Sequence, residues 1–377
     1  MSKNCRRKKI RIIQILEGIG WSGGQQQALF LTEGMQRMGY ACILCCNPKS
    51  RLFEEANKKN LQPFPFTISK DGDLRSYLQF LKLLRKFKPN IINAHRSYAY
   101  TLMLLAAYRY PGINIILTRR VLTPPAKNFF SKIKYTSARI DGYIAVSDGV
   151  KKVLGENGVD SNRIRIIHSA TDLKRFQKIT GDQIKSLKTS LNIPDKAKVI
   201  SLIGNYSDYK GQDFFLDIIA ECEKKPNPYI YLFVGRDTDS EDFRKKIINH
   251  PGFDSIRLLG FRTDIPEILS LSTITLNTSK FEGFAGTLRE SLALGVPAIV
   301  TDVGGNPEII ENQKQGFVHP YGDTKNFALS IHTLLSQEKL LKKFSIEALK
   351  KSSDFGVQTM IEKTLAFYHS FPRRRGR

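Results

Sequence analysis

Glu282 and Glu290 are separated by seven residues in the stretch 281–308, FEGFAGTLRESLALGVPAIVTDVGGNPE, and their neighbours suggest what two carboxylates at that spacing can do. A loop containing Glu282, Gly283 and Phe284 leads into a helix predicted over 285–294, with Leu288, Leu292 and Ala293 on one side. A helix that opens from a glycine-bearing loop presents unpaired backbone N–H groups and the positive end of its dipole, which suits a phosphate. Ala285, Gly286 and Thr287 stand at that opening. Glu282 precedes it and Glu290 lies about one and a half turns inside. Carboxylates there can accept hydrogen bonds from the hydroxyls of a sugar or a ribose. Like charges repel, so both would face hydroxyls rather than the phosphate. A solvated helix with an Arg289–Glu290 charge pair satisfies the same spacing.

Several elements must hold these groups in place. Gly295 and Pro297 stop the helix, residues 298–300 read as a strand buried on both faces, and Gly304 and Gly305 form a turn. Asn306, Pro307 and Glu308 read as N-cap, first-turn proline and first-turn acid of the next helix. Strand and helix patterns alternate along the whole chain, which implies α/β architecture with parallel sheets. Strands are predicted at 10–16, 41–46, 91–93, 113–117, 142–146 and 164–167, then at 199–203, 229–234, 256–259, 273–277, 298–301 and 316–318. The polar, strand-free segment 172–198 reads as a connection between two domains. Two final helices, near 337–350 and 356–369, have no strand after them. Open parallel sheets bind ligands at the carboxyl ends of their strands.

The frame E-G-F-x5-E-S-L-A-x-G-x-P over 282–297 closely resembles the Glu-x7-Glu signature of the GT4-type retaining glycosyltransferases, and the match runs on through Gly304 and Gly305 to Glu308. The resemblance implies a GT-B fold, with two Rossmann-like parallel-sheet domains facing a central cleft. It places an acceptor-side domain at 1–178, a nucleotide-sugar-binding domain at 179–350, and a C-terminal helix within 351–377 that packs back on the first domain before a basic tail. It implies transfer of a sugar from a nucleotide-diphosphate donor to a saccharide or lipid-linked acceptor in bacterial surface polysaccharide or lipopolysaccharide synthesis. No metal or other cofactor is expected. Glu282, Lys210 and His95 are the implied catalytic residues. Lys210 would neutralise the departing diphosphate, Glu282 would hold the donor sugar, and His95 would line its pocket. Glu290 would take the ribose, with Gly23, Gly24, Gly204, Asn205, Arg262, Gly283, Phe284, Ala285, Gly286 and Thr287 completing the donor site. At position 205 the family carries an arginine, so one phosphate-facing cation is missing, and Arg236 is placed to supply it in part. Arg119 and Arg120, two guanidiniums at a strand's carboxyl end, suit an anionic acceptor.

Gly18, Gly20 and Gly23 also spell G-x-G-x-x-G before a helix, but Cys45, Cys46 and Asn47 stand where a dinucleotide enzyme needs an acid for the ribose. Net charge is +24, with 59 Lys+Arg against 35 Asp+Glu. Basic clusters at 6–9 and 373–377, at Lys82, Arg85, Lys86 and Lys88, and at Lys342 and Lys343 suit an anionic membrane surface. A nucleic-acid partner is the charge-based alternative, without a supporting motif. A sugar-nucleotide epimerase of the same fold is the enzymatic one. No apolar run nears the ~18 residues that span a bilayer, and the expected location is cytoplasmic, at most peripheral on the membrane's inner face. Cys42 and Cys45 have a C-x2-C spacing but no second Cys or His pair to complete a metal site, so they read as core residues of the strand 41–46. The odd count of five cysteines argues against a disulfide framework.

Overall fold

The computed structural model describes residues 10–68, 73–125, 129–177 and 179–372. Cys5 and the basic clusters at 6–9 and 373–377 lie outside them. The chain divides into two compact units, Met1–Ala170 with Val357–Arg377, and Thr171–Gly356. The divisions therefore fall at 170/171 and 356/357 rather than at 178/179 and 350/351. Thr171 belongs with the second unit because its N–H donates to the Phe355 carbonyl at 2.8 Å and it pairs with Gly356. The segment after it is not a bare linker. Thr180 and Gln183 form a capping box that starts a helix, Gly181–Ser190, and Ile184 and Leu187 pack it against the second unit's core.

The first unit is built on a parallel sheet of β1 (Arg11–Leu16), β2 (Ala41–Cys46), β3 (Phe64–Pro65), β4 (Ile91–Ala94), β5 (Asn114–Arg119), β6 (Gly142–Ala145) and β7 (Ile164–Ile166), in the order β3-β2-β1-β4-β5-β6-β7. Its central strands are buried on both faces, which is why they read as unbroken apolar runs. The two-residue β3 was not legible. Helix Gly23–Arg37 covers β1 and β2, and helix Val357–His369 returns from the far end of the chain to pack on it. Met360, Ile361, Leu365 and Tyr368 enter the same core as Ile12, Leu31 and Met35. The Tyr368 hydroxyl also accepts a 3.2 Å bond from buried Gln14 on β1. Cys42, Cys45, Cys46 and Cys222 are free and buried, and burial pushes the Cys42 and Cys46 thiols up to about 12.

The second unit repeats the plan with β8 (Lys198–Ile203), β9 (Tyr229–Val234), β10 (Ile256–Gly260), β11 (Ile274–Asn277), β12 (Ala298–Thr301) and β13 (Gly316–His319), parallel, in the order β10-β9-β8-β11-β12-β13. Its core sets aromatics, among them Phe215, Tyr231, Phe233, Phe243 and Phe327, among aliphatic side chains such as Ile200, Ile218 and Ile274. In each sheet the strand order reverses direction once, between β1 and β4 and between β8 and β11. Loops leaving two such neighbours diverge and open a crevice at their carboxyl ends. Among the described residues no helix is long and apolar enough to cross a membrane.

The packing of the returning helix can be tested. Leu365→Ala removes a buried side chain from the first unit's core and should lower its stability by about 3 kcal/mol. Trp21, the only tryptophan in the chain, lies in that unit. Its fluorescence in a urea titration should show an earlier midpoint; an unchanged midpoint would mean the helix contributes nothing to the unit.

Candidate active site

The loops that leave β8 and β11 in the second unit are tied together by their backbones. Lys280 N–H donates to the Tyr209 carbonyl at 2.8 Å, and the Thr278 hydroxyl donates to the Gly211 carbonyl at 2.7 Å. Gly211 adopts φ +74°, and a Cβ there would collide with the Thr278 carbonyl oxygen, so only glycine lets the loops approach this closely. The result is an ion pair over the switch point, with Lys210 Nζ 2.6 Å from Glu282 Oε2 and both side chains partly exposed. The family resemblance assigns the two to separate parts of a ligand; in the ligand-free structure they pair directly with each other. A polar network fixes the Glu282 loop from behind. Asn306 Nδ2 donates to Asn277 Oδ1 at 3.2 Å and to the Thr301 carbonyl at 3.1 Å, the Thr301 hydroxyl donates to the Ser279 carbonyl at 2.7 Å, and Gly305 N–H reaches the Glu282 carbonyl at 3.3 Å. Asn306 is thus a buried strut inside its helix; the N-cap position expected of it falls to Gly305.

Helix Gly286–Ala293 begins beside this pair. Its N-cap is Ala285, with no side-chain cap bond, so the first-turn amides are not closed off by a side chain. Phe284 is buried with its ring 5.5 Å from Phe355, and Ala285 is buried too, so neither presents its side chain at the surface. Glu290 is half-buried, and no donor among the described residues bonds its carboxylate. Burial raises its pKa above the usual carboxylate range, with Arg289 and Arg175 pulling it back. Arg289 is the residue that sequence reasoning passed over as half of a solvated pair. Its guanidinium is buried, donates to the Thr171 hydroxyl at 2.9 Å and lies 3.6 Å from where a Cβ of Gly286 would stand. Burial pushes it down to about 10, against the pull of Glu290 and Glu282. A cation is therefore aimed back at the helix start, and no sequence signal beyond its adjacency to Glu290 pointed to it.

The remaining second-unit candidates are engaged with one another. Asn205 Oδ1 accepts from the Arg236 N–H at 3.1 Å, which ties the β8 and β9 loops, while the exposed Arg236 guanidinium rests over Phe261. Gly204 accepts through its carbonyl from Gln212 Nε2 at 3.1 Å. Arg262 makes a two-pronged pair with Asp264 at 2.8 and 2.5 Å, at the mouth of an open polar cavity of about 410 Å³ that Asp264, Arg175 and Glu267 line.

In the first unit His95 follows β4. Its Nε2 meets Gln14 Oε1 at 2.9 Å and its buried Nδ1 has no partner. Burial, with Arg120 adding to it, holds the ring well below the usual imidazole range, so His95 is neutral. Gln14 Oε1 can only accept, which makes Nε2 the donor and leaves the Nδ1 lone pair open to a hydroxyl. Arg120 donates to the Ser169 hydroxyl at 3.0 Å and its Cδ lies 3.6 Å from the Cβ position of Gly24. Arg119 does not share that setting. It is the last residue of β5, buried, and its guanidinium donates to the Tyr135 hydroxyl at 3.1 Å and to the Thr123 carbonyl. Gly23 opens helix Gly23–Arg37, and apart from its chain neighbours and its own helix's backbone no atom stands within 4 Å of its Cβ position.

Two family models match this chain, "Glycosyltransferase Family 4" over residues 21–175 and "Glycosyl transferases group 1" over residues 183–351. Between them they take in most of it. The chain is a family 4 glycosyltransferase. It is 24% identical over 317 residues to the UDP-Gal:alpha-D-GlcNAc-diphosphoundecaprenol alpha-1,3-galactosyltransferase of Escherichia coli, covering 80% of each chain. It is 23% identical over 319 residues to the capsular polysaccharide biosynthesis glycosyltransferase CapM of Staphylococcus aureus, covering 82% of this chain and 84% of the relative. The solved structure of Anabaena Alr3699/HepE in complex with UDP superposes with a TM-score of 0.84 at 18% identity, over 96% of this chain and 100% of that one. That likeness establishes the GT-B fold for this glycosyltransferase.

The burial of Glu290 predicts a pH signature. Its folded-state pKa is raised, so the stability linked to it is full below the unfolded-state value and is lost as pH rises through the folded one. Glu290→Gln stays neutral throughout. The ligand-free variant should melt above the unsubstituted enzyme near pH ~8 and match it near pH ~4; calorimetry at both values checks this, and a variant equally destabilised at both would contradict it.

Proposed function

We propose that the second unit binds a nucleoside-diphosphate sugar over the carboxyl ends of β8 and β11. The transferase then moves the sugar, with retention at the anomeric carbon, to a saccharide or lipid-linked acceptor used in bacterial surface polysaccharide or lipopolysaccharide synthesis. One observation carries the reading: a lysine and a glutamate, paired at 2.6 Å, stand at the start of a helix whose amides no side chain caps. A diphosphate offers Lys210 a stronger partner than Glu282, together with the dipole end of helix Gly286–Ala293. Glu282, released, turns to a hydroxyl of the donor sugar, and the unpartnered Glu290 carboxylate takes the ribose hydroxyls. The acceptor hydroxyl oxygen forms the new bond to the anomeric carbon while the bond from that carbon to the β-phosphate oxygen breaks. The hydroxyl proton passes to the departing phosphate, whose charge Lys210 and the helix start stabilise.

The relatives support the class of substrate. The Escherichia coli relative is named for a UDP-galactose donor and a diphosphoundecaprenol-linked acceptor, and the Anabaena structure holds UDP. In the first unit the Nδ1 lone pair of His95 serves a sugar hydroxyl, and Arg120 beside Gly24 serves an anionic group of the acceptor. The scheme uses no divalent metal, since the lysine and the helix dipole do the neutralising.

A panel of sugar nucleotides, scored first by thermal upshift and then by transfer, tests the reading. Lys210→Ala should lower turnover with the matching donor by about 10²- to 10³-fold. Arg120→Ala should raise the KM for acceptor and leave the donor-induced upshift unchanged, and a chelator should change neither. Lys210→Ala with undiminished turnover would overturn the proposal.

A further inference from the structure

Two cations and a helix dipole meet at the opening of helix Gly286–Ala293, and Glu282 pairs with only one of the cations. That one is Lys210, at 2.6 Å. The other is Arg289, whose side chain folds back over the start of its own helix and brings Nη2 to 3.6 Å from the Cβ position of Gly286. Residues three apart lie on one helix face, which is how the fourth residue of the helix covers the first. A cation is stabilised at a helix's C-terminal end and disfavoured at its N-terminal one. Here the first turn holds no acid, no side chain caps the amides, and Arg289 is only 5% exposed.

The guanidinium is held by neutral groups alone. Nη1 donates to the Thr171 hydroxyl at 2.9 Å, and Cζ lies over the Phe284 ring, 5.6 Å from its centre. Thr171 is itself fixed by its bridge to Gly356. Among the described residues Arg289 makes no ion pair, Nη2 donates to no group, and Nε is buried with no hydrogen-bond partner. Nε and Nη2 form the edge of a guanidinium that takes two oxygens of one carboxylate or phosphate. Arg262 uses that same edge on Asp264. In Arg289 it is unspent, in a buried setting where an unpaired donor is costly.

The neighbouring candidates for a phosphate-facing charge are turned elsewhere. Asn205 is neutral and accepts from the Arg236 N–H, the Arg236 guanidinium rests over Phe261, and Arg262 is paired with Asp264. A phosphate accepting from the Gly286 amide, in contrast, comes within reach of the Arg289 fork.

We propose that Arg289 binds the donor's diphosphate, its Nε and Nη2 taking oxygens of a phosphate that also accepts from the amides opening its own helix. The cation that position 205 lacks is thereby supplied from inside the helix. It adds to Lys210 in stabilising the charge that grows on the diphosphate as the bond to the anomeric carbon breaks. This rests on the donor reading above and assigns that site a further residue.

UDP, GDP, CDP and ADP are titrated into the full chain by calorimetry, and the tightest binder is compared with its own nucleoside. Arg289→Met should weaken the diphosphate by about 10- to 100-fold and leave the nucleoside affinity as it was. Methionine fills much of the same space without a charge, so the melting midpoint without nucleotide should hold. A side chain that merely braces Phe284 and Thr171 predicts equal losses for diphosphate and nucleoside. That result, or undiminished diphosphate binding, overturns the proposal, and so does a larger loss from Arg236→Met. If Arg289→Met fails to fold, the unsubstituted chain crystallised with the same diphosphate decides. A phosphate oxygen in hydrogen-bonding distance of Arg289 Nε or Nη2 supports the assignment, and its absence overturns it. All these outcomes leave the donor reading standing. Failure of every diphosphate to bind the unsubstituted chain would defeat that reading, and this proposal with it.

Discussion

The ion pair between Lys210 and Glu282 is the interaction on which the rest of the second unit converges. It contributes little to stability, because both side chains are partly exposed and such pairs typically add no more than about 1 kcal/mol. That weakness suits exchange. A strong buried pair would hold its lysine against any incoming phosphate, whereas this one can release it at small cost. The surrounding structure shows where the rigidity lies instead. Gly211 is locked against Thr278, the two loops share a backbone bond, and the Asn306 network supports the Glu282 loop from behind. The frame is fixed and the charges it carries are free to change partners, as a preorganised electrostatic site requires.

Helix Gly286–Ala293 adds a second layer. Its glutamate is held against burial without a bonded donor, and its arginine is buried beside its own N-terminus. Burial disfavours the charge on each in the ligand-free site, and under the proposed function each would be relieved by a ligand that brings hydroxyls to Glu290 and negative charge to the helix start. Arg289 also bears on the missing cation at position 205. Asn205 is committed to the Arg236 backbone, and the exposed Arg236 side chain lies over Phe261. The buried Arg289 places its charge closer to the opening of the helix than either does.

Much of this was legible in the residues. Strands buried on both faces show as apolar runs, and Gly295 with Pro297 marks a helix end by chemistry that tertiary structure rarely overrides. Glu282, Lys210 and His95 are singled out as candidates by the family resemblance, not by their type and place alone. What stayed hidden depended on contacts between distant segments. Helix Gly181–Ser190 has only Ile184 and Leu187 to show for its packing, and β3 is two residues ending in Pro65. Arg119 and Arg120 are adjacent and chemically identical, yet Tyr135 and Thr123 take up one and leave the other beside His95 and Gly24. Arg289 reads as a surface cation until Thr171 and Phe284 close over it. Side-chain type is a local property, and burial is not.

The most direct test of the exchange is a crystal structure of the full chain soaked with the nucleoside diphosphate that gives the largest thermal upshift. The account predicts the β-phosphate within hydrogen-bonding distance of the Gly286 and Thr287 amides, with Lys210 Nζ on a phosphate oxygen and no longer on Glu282. A bound diphosphate lodged elsewhere, with the Lys210–Glu282 pair intact, would contradict it.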